Sequence, residues 1–134
     1  MRKLTAIGAV LCLCLVPSLL RAATYDGSVP LLCAPTTVLE CENTGECRQR
    51  TVESTNIPPF VTINFEQKTI SDTNDSGRTS MIKHLERMDG HVVMQGGEHG
   101  RSWNIVIVEE TGTMSASAIS EGIGFVIFGA CTPR

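Results

Sequence analysis

At 134 residues, with 19% of them charged and a formal net charge of −3, the chain has room for one ordinary domain. It lacks the basic surplus that nucleic acid or an anionic membrane surface selects, since beyond Arg2-Lys3 at the start Lys and Arg occur singly apart from Arg48 and Arg50. Six cysteines on so short a chain point to an oxidising compartment and away from a reducing cytosol.

Met1-Arg2-Lys3 and the apolar run over 4–20 have the charged start and hydrophobic body of an export signal. A membrane anchor is the competing reading, but about 17 residues interrupted by Pro17 fall short of the roughly 20 that a spanning helix needs. A lipoprotein signal is disfavoured as well, because Cys12 follows Leu11 and Cys14 follows Leu13 where a small residue is required. Cleavage after Ala22 or Ala23 is expected. The organisation is then a signal peptide over 1–23 and a single all-β domain over 24–134, periplasmic or secreted, with no membrane span after signal removal. Loss of Arg2, Lys3 and Arg21 takes the formal net charge from −3 to −6. An acidic surface of that kind allows a basic protein as partner.

After a lead over 24–32, the clearest strands begin at Phe60. Residues 60–65 alternate, with Val61, Ile63 and Phe65 on one face, and 68–71 return after a polar turn. The stretch 72–80 is loop by composition, and its Asp75-Ser76-Gly77 reads as a turn, not as a nucleophile motif. Segments 81–88 and 91–95 flank Asp89-Gly90, a dipeptide suited to the positive φ angles of a hairpin, so the helix-tolerant residues of 81–88 are read as strand. A turn over 96–100 leads to 101–108, where Trp103, Ile105 and Ile107 share a face. Thr111-Gly112 turns the chain into 113–119, whose Met114, Ala116 and Ala118 alternate with polar residues, and 125–130 form the last strand. Short strands with tight turns and no helical period predict an antiparallel meander closing as a small barrel or sandwich.

Four cysteines remain after signal removal: Cys33, Cys41, Cys47 and Cys131. Of the three connectivities, the short loop between Cys41 and Cys47, with its Asn43 and Gly45, favours that pair and leaves Cys33 for Cys131 across the ends of a closed meander. Loop entropy assigns about 2.4 kcal/mol to the short bridge and about 4.7 kcal/mol to the long one. The spacing lacks the paired C-x2-C knuckles of structural zinc and contains no C-x-x-C redox motif.

No catalytic constellation, cofactor motif or metal pattern is present. His84, His91 and His99 read as polar strand and turn positions, and Glu109-Glu110 as a solvated turn, since adjacent strand residues point to opposite faces. Glu40, Glu42 and Glu46 are the candidate acidic contact surface, because strand positions 40 and 42 share a face. Trp103 belongs to the core stripe.

The series Leu31-Leu32-Cys33, Glu40-Cys41, Cys47-Arg48, Phe65-Glu66-Gln67-Lys68-Thr69-Ile70, Leu85-Glu86-Arg87, Gln95-Gly96, Trp103, Thr111-Gly112-Thr113-Met114 and Phe128-Gly129-Ala130-Cys131-Thr132-Pro133 resembles a group of small exported proteins of Gram-negative bacteria. The resemblance implies an envelope or extracellular location and carries no activity. The expected function is a non-enzymatic binding or inhibitor module of the bacterial envelope. The alternative is a lipocalin-like carrier of a small apolar ligand, for which Met114, Ala116 and Ala118 are the interior candidates.

Overall fold

A computed structural model describes residues 24–74 and 77–134. The expected signal peptide over 1–23, with Cys12 and Cys14, and Asp75-Ser76 of the loop lie outside the described residues. Nine strands follow in order: β1 (Leu31–Glu42), β2 (Cys47–Arg50), β3 (Val61–Asn64), β4 (Thr69–Asp72), β5 (Thr79–Met88), β6 (His91–Glu98), β7 (Arg101–Val108), β8 (Thr113–Ser120) and β9 (Ile123–Pro133). A single 3-10 turn, Val52–Ser54, stands between β2 and β3. Every strand pairing is antiparallel, β3 to β9 form a meander, and β1 pairs with both β3 and β9. Eight strands therefore close a barrel, and β2 attaches to β1 outside the ring.

Closure depends on the length of β1. Its 12 residues pair with β9 along nearly their whole length, while Leu31, Leu32 and Cys33 pair with β3 and Val38 to Cys41 with β2. An irregularity between Pro35 and Thr37 shifts the register, so that Cys33 and Val38, five residues apart, both face inward. Pro fits there because a bulge does not need its missing N–H. Sequence reading assigns 31–32 to the lead and 41–42 to the disulfide loop and gives 33–40 no element, so β1 as a continuous strand is a finding of the structure.

The segment 81–88 is strand, joined to β6 by Asp89 (φ 49°) and Gly90 (φ 74°), a two-residue turn of the expected kind. The next hairpin differs from expectation. β6 continues through Gly96 and Gly97 to Glu98, and the turn is the pair His99 (φ 49°) and Gly100 (φ 74°) alone.

Both disulfides form as expected. Cys33–Cys131 joins directly paired residues of β1 and β9 across the seam, and Cys41–Cys47 joins paired residues of β1 and β2. The two bonds indicate folding in an oxidising, non-cytoplasmic compartment. No helix among the described residues is long and apolar enough to cross a membrane.

The core is concentrated at one end of the barrel. Leu31, Cys33, Ile63, Val92, Met94 and Ile107 are fully enclosed there, with Phe65 and Cys131 nearly so. The lead over 24–30 closes that end from outside: the Tyr25 ring packs where a Cβ on Gly112 would stand, Gly27 lies against the Phe65 ring, and the Arg87 Nε–H donates to the Asp26 carbonyl. The Ser28 N–H donates to the Asp26 carboxylate at 2.9 Å.

Candidate functional site

The opposite end of the barrel is open. A cavity of about 430 Å³ enters between the β3, β4, β7, β8 and β9 walls and is floored by Pro35 and Met114. Its sides are mainly apolar, formed by Val61, Ile70, Trp103, Ile105, Ala116, Ala118, Phe125 and Ile127.

Pairing register explains why the space is empty. Trp103 lies opposite Ala118, Ile105 opposite Ala116, and these alanines in turn opposite Phe125 and Ile127, so the large side chains of β7 and β9 around the cavity meet only methyls on β8. The Trp103 ring does not fill the resulting gap. It leans sideways over Gly96 of β6, so closely that a Cβ there would stand 2.2 Å from its Cζ2, and its Nε1–H donates to Ser80 Oγ of β5 at 3.0 Å. The indole thus lines the wall, held flat by a glycine beneath it and a hydroxyl at its far edge. Its hydrogen bond also satisfies the one polar atom that an indole must bury.

Residues after β2 narrow the mouth. Asn56, Ile57 and Pro58 lie at the rim, and Arg78 straps this segment to the β4–β5 loop by donating to the Asn56 carbonyl at 3.1 Å and to its Oδ1 at 3.3 Å. Arg78 also donates to Asp72 at 3.3 Å, whose side chain is 2% exposed just inside the rim. Glu98 and Arg101 line the rim where β6 turns into β7. The entrance therefore carries both charge signs, and the interior none beyond Asp72.

Met114, Ala116 and Ala118 stand together inside the barrel, on the face that alternation assigned them. Trp103 shares the inward face of Ile105 and Ile107 and packs against the core as expected, while its ring also borders the cavity. Gly96 was missed because Gly96-Gly97 read as a turn. A glycine inside an apolar strand is itself a sign of close approach by another group, and that sign was available.

Glu40 and Glu42 share a face of β1 with Arg50 and Arg48, their diagonal neighbours on β2. Arg48 pairs with Glu42, and the Arg50 Nε stands 3.9 Å from Glu40. Two of the three carboxylates of the candidate acidic surface are thus faced by guanidinium groups of their own hairpin, while Glu46 is exposed in its turn. His84 lies exposed on β5, His99 in a turn, and His91 Nδ1 sits 2.8 Å from the Asp89 carbonyl oxygen. No cluster of three or more His, Cys, Asp or Glu able to hold a metal occurs among the described residues.

Set against protein-family models, curated proteins and solved structures, the chain matches none of them.

Proposed function

We propose that this protein is an exported binding protein, periplasmic or secreted, whose barrel takes a small, mainly apolar molecule through its open end. The single observation that carries the reading is the cavity of about 430 Å³, open at one end and walled by Trp103, Ile105, Phe125 and Ile127. Ligand sites fall in the range of about 300–1,000 Å³, with apolar walls and few polar groups, and an eight-stranded barrel is wide enough to hold one small ligand. Trp103 offers a flat aromatic wall, and the rim groups Ser120, Arg101 and Asn56 would meet any polar end of the guest. An inhibitor acting through an acidic surface draws less support, because Arg48 and Arg50 face Glu42 and Glu40.

The only tryptophan of the chain stands in the cavity wall, so its emission reads occupancy directly. Titration with the neutral apolar dye N-phenyl-1-naphthylamine is expected to quench Trp103 saturably at one equivalent, and Ala118→Leu, which projects into the cavity, to abolish the effect. Absence of saturable quenching in the folded, oxidised wild type would overturn the reading.

A further inference from the structure

Two hollows meet at the open end of the barrel. The cavity rim and a second, shallow notch in the outer wall share Glu98 and Arg101. The notch is bounded by Lys83 and His84 of β5, Gln95 of β6, Ser102 of β7 and His99 of the turn. It lies where β5 parts from β6. Their pairing ends at Ile82 and Gly96, next to a bulge that inserts Lys83 as an extra residue opposite Gln95, whereas β6 stays paired with β7 as far as Glu98 and Arg101. Gly97 also lines the notch and has no side chain to fill it. A Cβ there would stand 2.7 Å from the Arg101 carbonyl oxygen.

The charges at this junction are uncommitted. Among the described residues, the side chains of Lys83, Glu98 and Arg101 make no ion pair or hydrogen bond, although Glu98 and Arg101 are direct partners across the hairpin. Guanidinium groups elsewhere are engaged: Arg48 and Arg50 face Glu42 and Glu40, Arg78 holds Asp72, Arg87 holds the Asp26 carbonyl, and Arg134 donates to Thr62. Asp72, the other carboxylate of the rim, accepts from Arg78 and from the Asn74 N–H at 2.9 Å. Two cations therefore face one uncommitted carboxylate, in a domain whose formal net charge over 24–134 is −6.

We infer that the guest is an anionic amphiphile, with its apolar chain in the barrel and its oxyanion head, a carboxylate or a phosphate, on Arg101 with Lys83 beside it. The inference rests on the cavity reading above. Arg101 lines both hollows, so it stands where a chain leaving the apolar interior first meets the outer wall. Its guanidinium fork matches two oxygens of an oxyanion, and Lys83 adds a second positive charge. The Gln95 amide, the Ser102 hydroxyl and the ring N–H groups of His84 and His99 supply neutral donors around them. A cationic head would find Glu98 alone and be opposed by both Lys83 and Arg101.

Displacement of N-phenyl-1-naphthylamine from the oxidised domain, by ligands that share a decyl chain and differ in the head, tests the inference. Decanoate and decyl phosphate are each expected to bind about tenfold more tightly than decan-1-ol, and decyltrimethylammonium more weakly than the alcohol. The tighter of the two anions names the head. Arg101→Gln combined with Lys83→Gln should bring the anion-to-alcohol ratio close to one, while Arg134→Gln, which removes a positive charge at the closed end, leaves the ratio unchanged. Equal displacement by all heads, a preference for the cation, or an anion preference that survives the double variant overturns the inference and leaves the cavity reading standing. If the dye itself does not bind, the cavity reading falls and takes the inference with it.

Discussion

The two ends of the barrel are built from the same strands and do opposite things. At the closed end, Leu31, Ile63, Met94 and Ile107 fill the lumen, and the seam is locked by Cys33–Cys131. At the open end, the same inward rows carry Ala116 and Ala118 where large residues would fit, and Trp103 lies against the wall. The closed end supplies stability and the open end forgoes it, which is how an eight-stranded barrel can be part core and part container.

Separating the two disulfides should give the largest effect. Replacing Cys33 and Cys131 by Ala removes a bridge spanning 98 residues and is expected to lower unfolding free energy by about 4–5 kcal/mol, against about 2 kcal/mol for the Cys41 and Cys47 pair. Urea unfolding of the two double variants measures the difference, and equal losses would mean that the seam bond does not govern the closed end.

Side-chain volume should sort the ends next. Ile63→Ala, in the closed end, is expected to lose about 2–5 kcal/mol with its loss of packing. Ala118→Leu adds volume to an open cavity, and its unfolding free energy should stay within about 1 kcal/mol of wild type while dye binding disappears. A large destabilisation by Ala118→Leu would show that the space is not free.

Acid gives the smallest effect. The Ser28 hydroxyl and N–H, aided by Arg87, hold the Asp26 carboxyl below its ordinary value of 3.8. A carboxylate with a lowered value contributes its full stabilisation above 3.8 and loses it as pH falls through the native value. Wild type should therefore lose a small increment of thermal midpoint in this acid window that Asp26→Asn does not lose. Identical pH profiles would mean that the lead over 24–30 does not hold the closed end through this contact.

The inward rows of both ends were legible in the sequence, because alternation at Val61, Ile63 and Phe65 and at Trp103, Ile105 and Ile107 marks inward faces directly, and Asp89-Gly90 fixes a hairpin by its backbone requirement. The cysteine pairing was legible for a related reason, since closing a meander brings its first and last strands together. β1 was not, because Leu31 and Leu32 are apolar on both faces and the Pro35 irregularity breaks the two-residue period. The cavity was legible only as the small residues Ala116 and Ala118. Whether small residues leave a void depends on where their large neighbours lean, and Trp103 leans over Gly96, a close approach that a glycine within a strand signals without naming the group that makes it.

The seam bond has a mechanical consequence. Tension applied between Thr24 and Arg134 enters the fold at β1 and β9 and passes from Cys33 to Cys131 through the sulfurs, bypassing every residue between them. Only the stretches outside the bond can extend, about a dozen residues or roughly 40 Å of contour. The container and its mouth are therefore shielded from load until the bond is reduced, and a domain pulled by its ends in an oxidising environment would stretch its tails without opening its cavity.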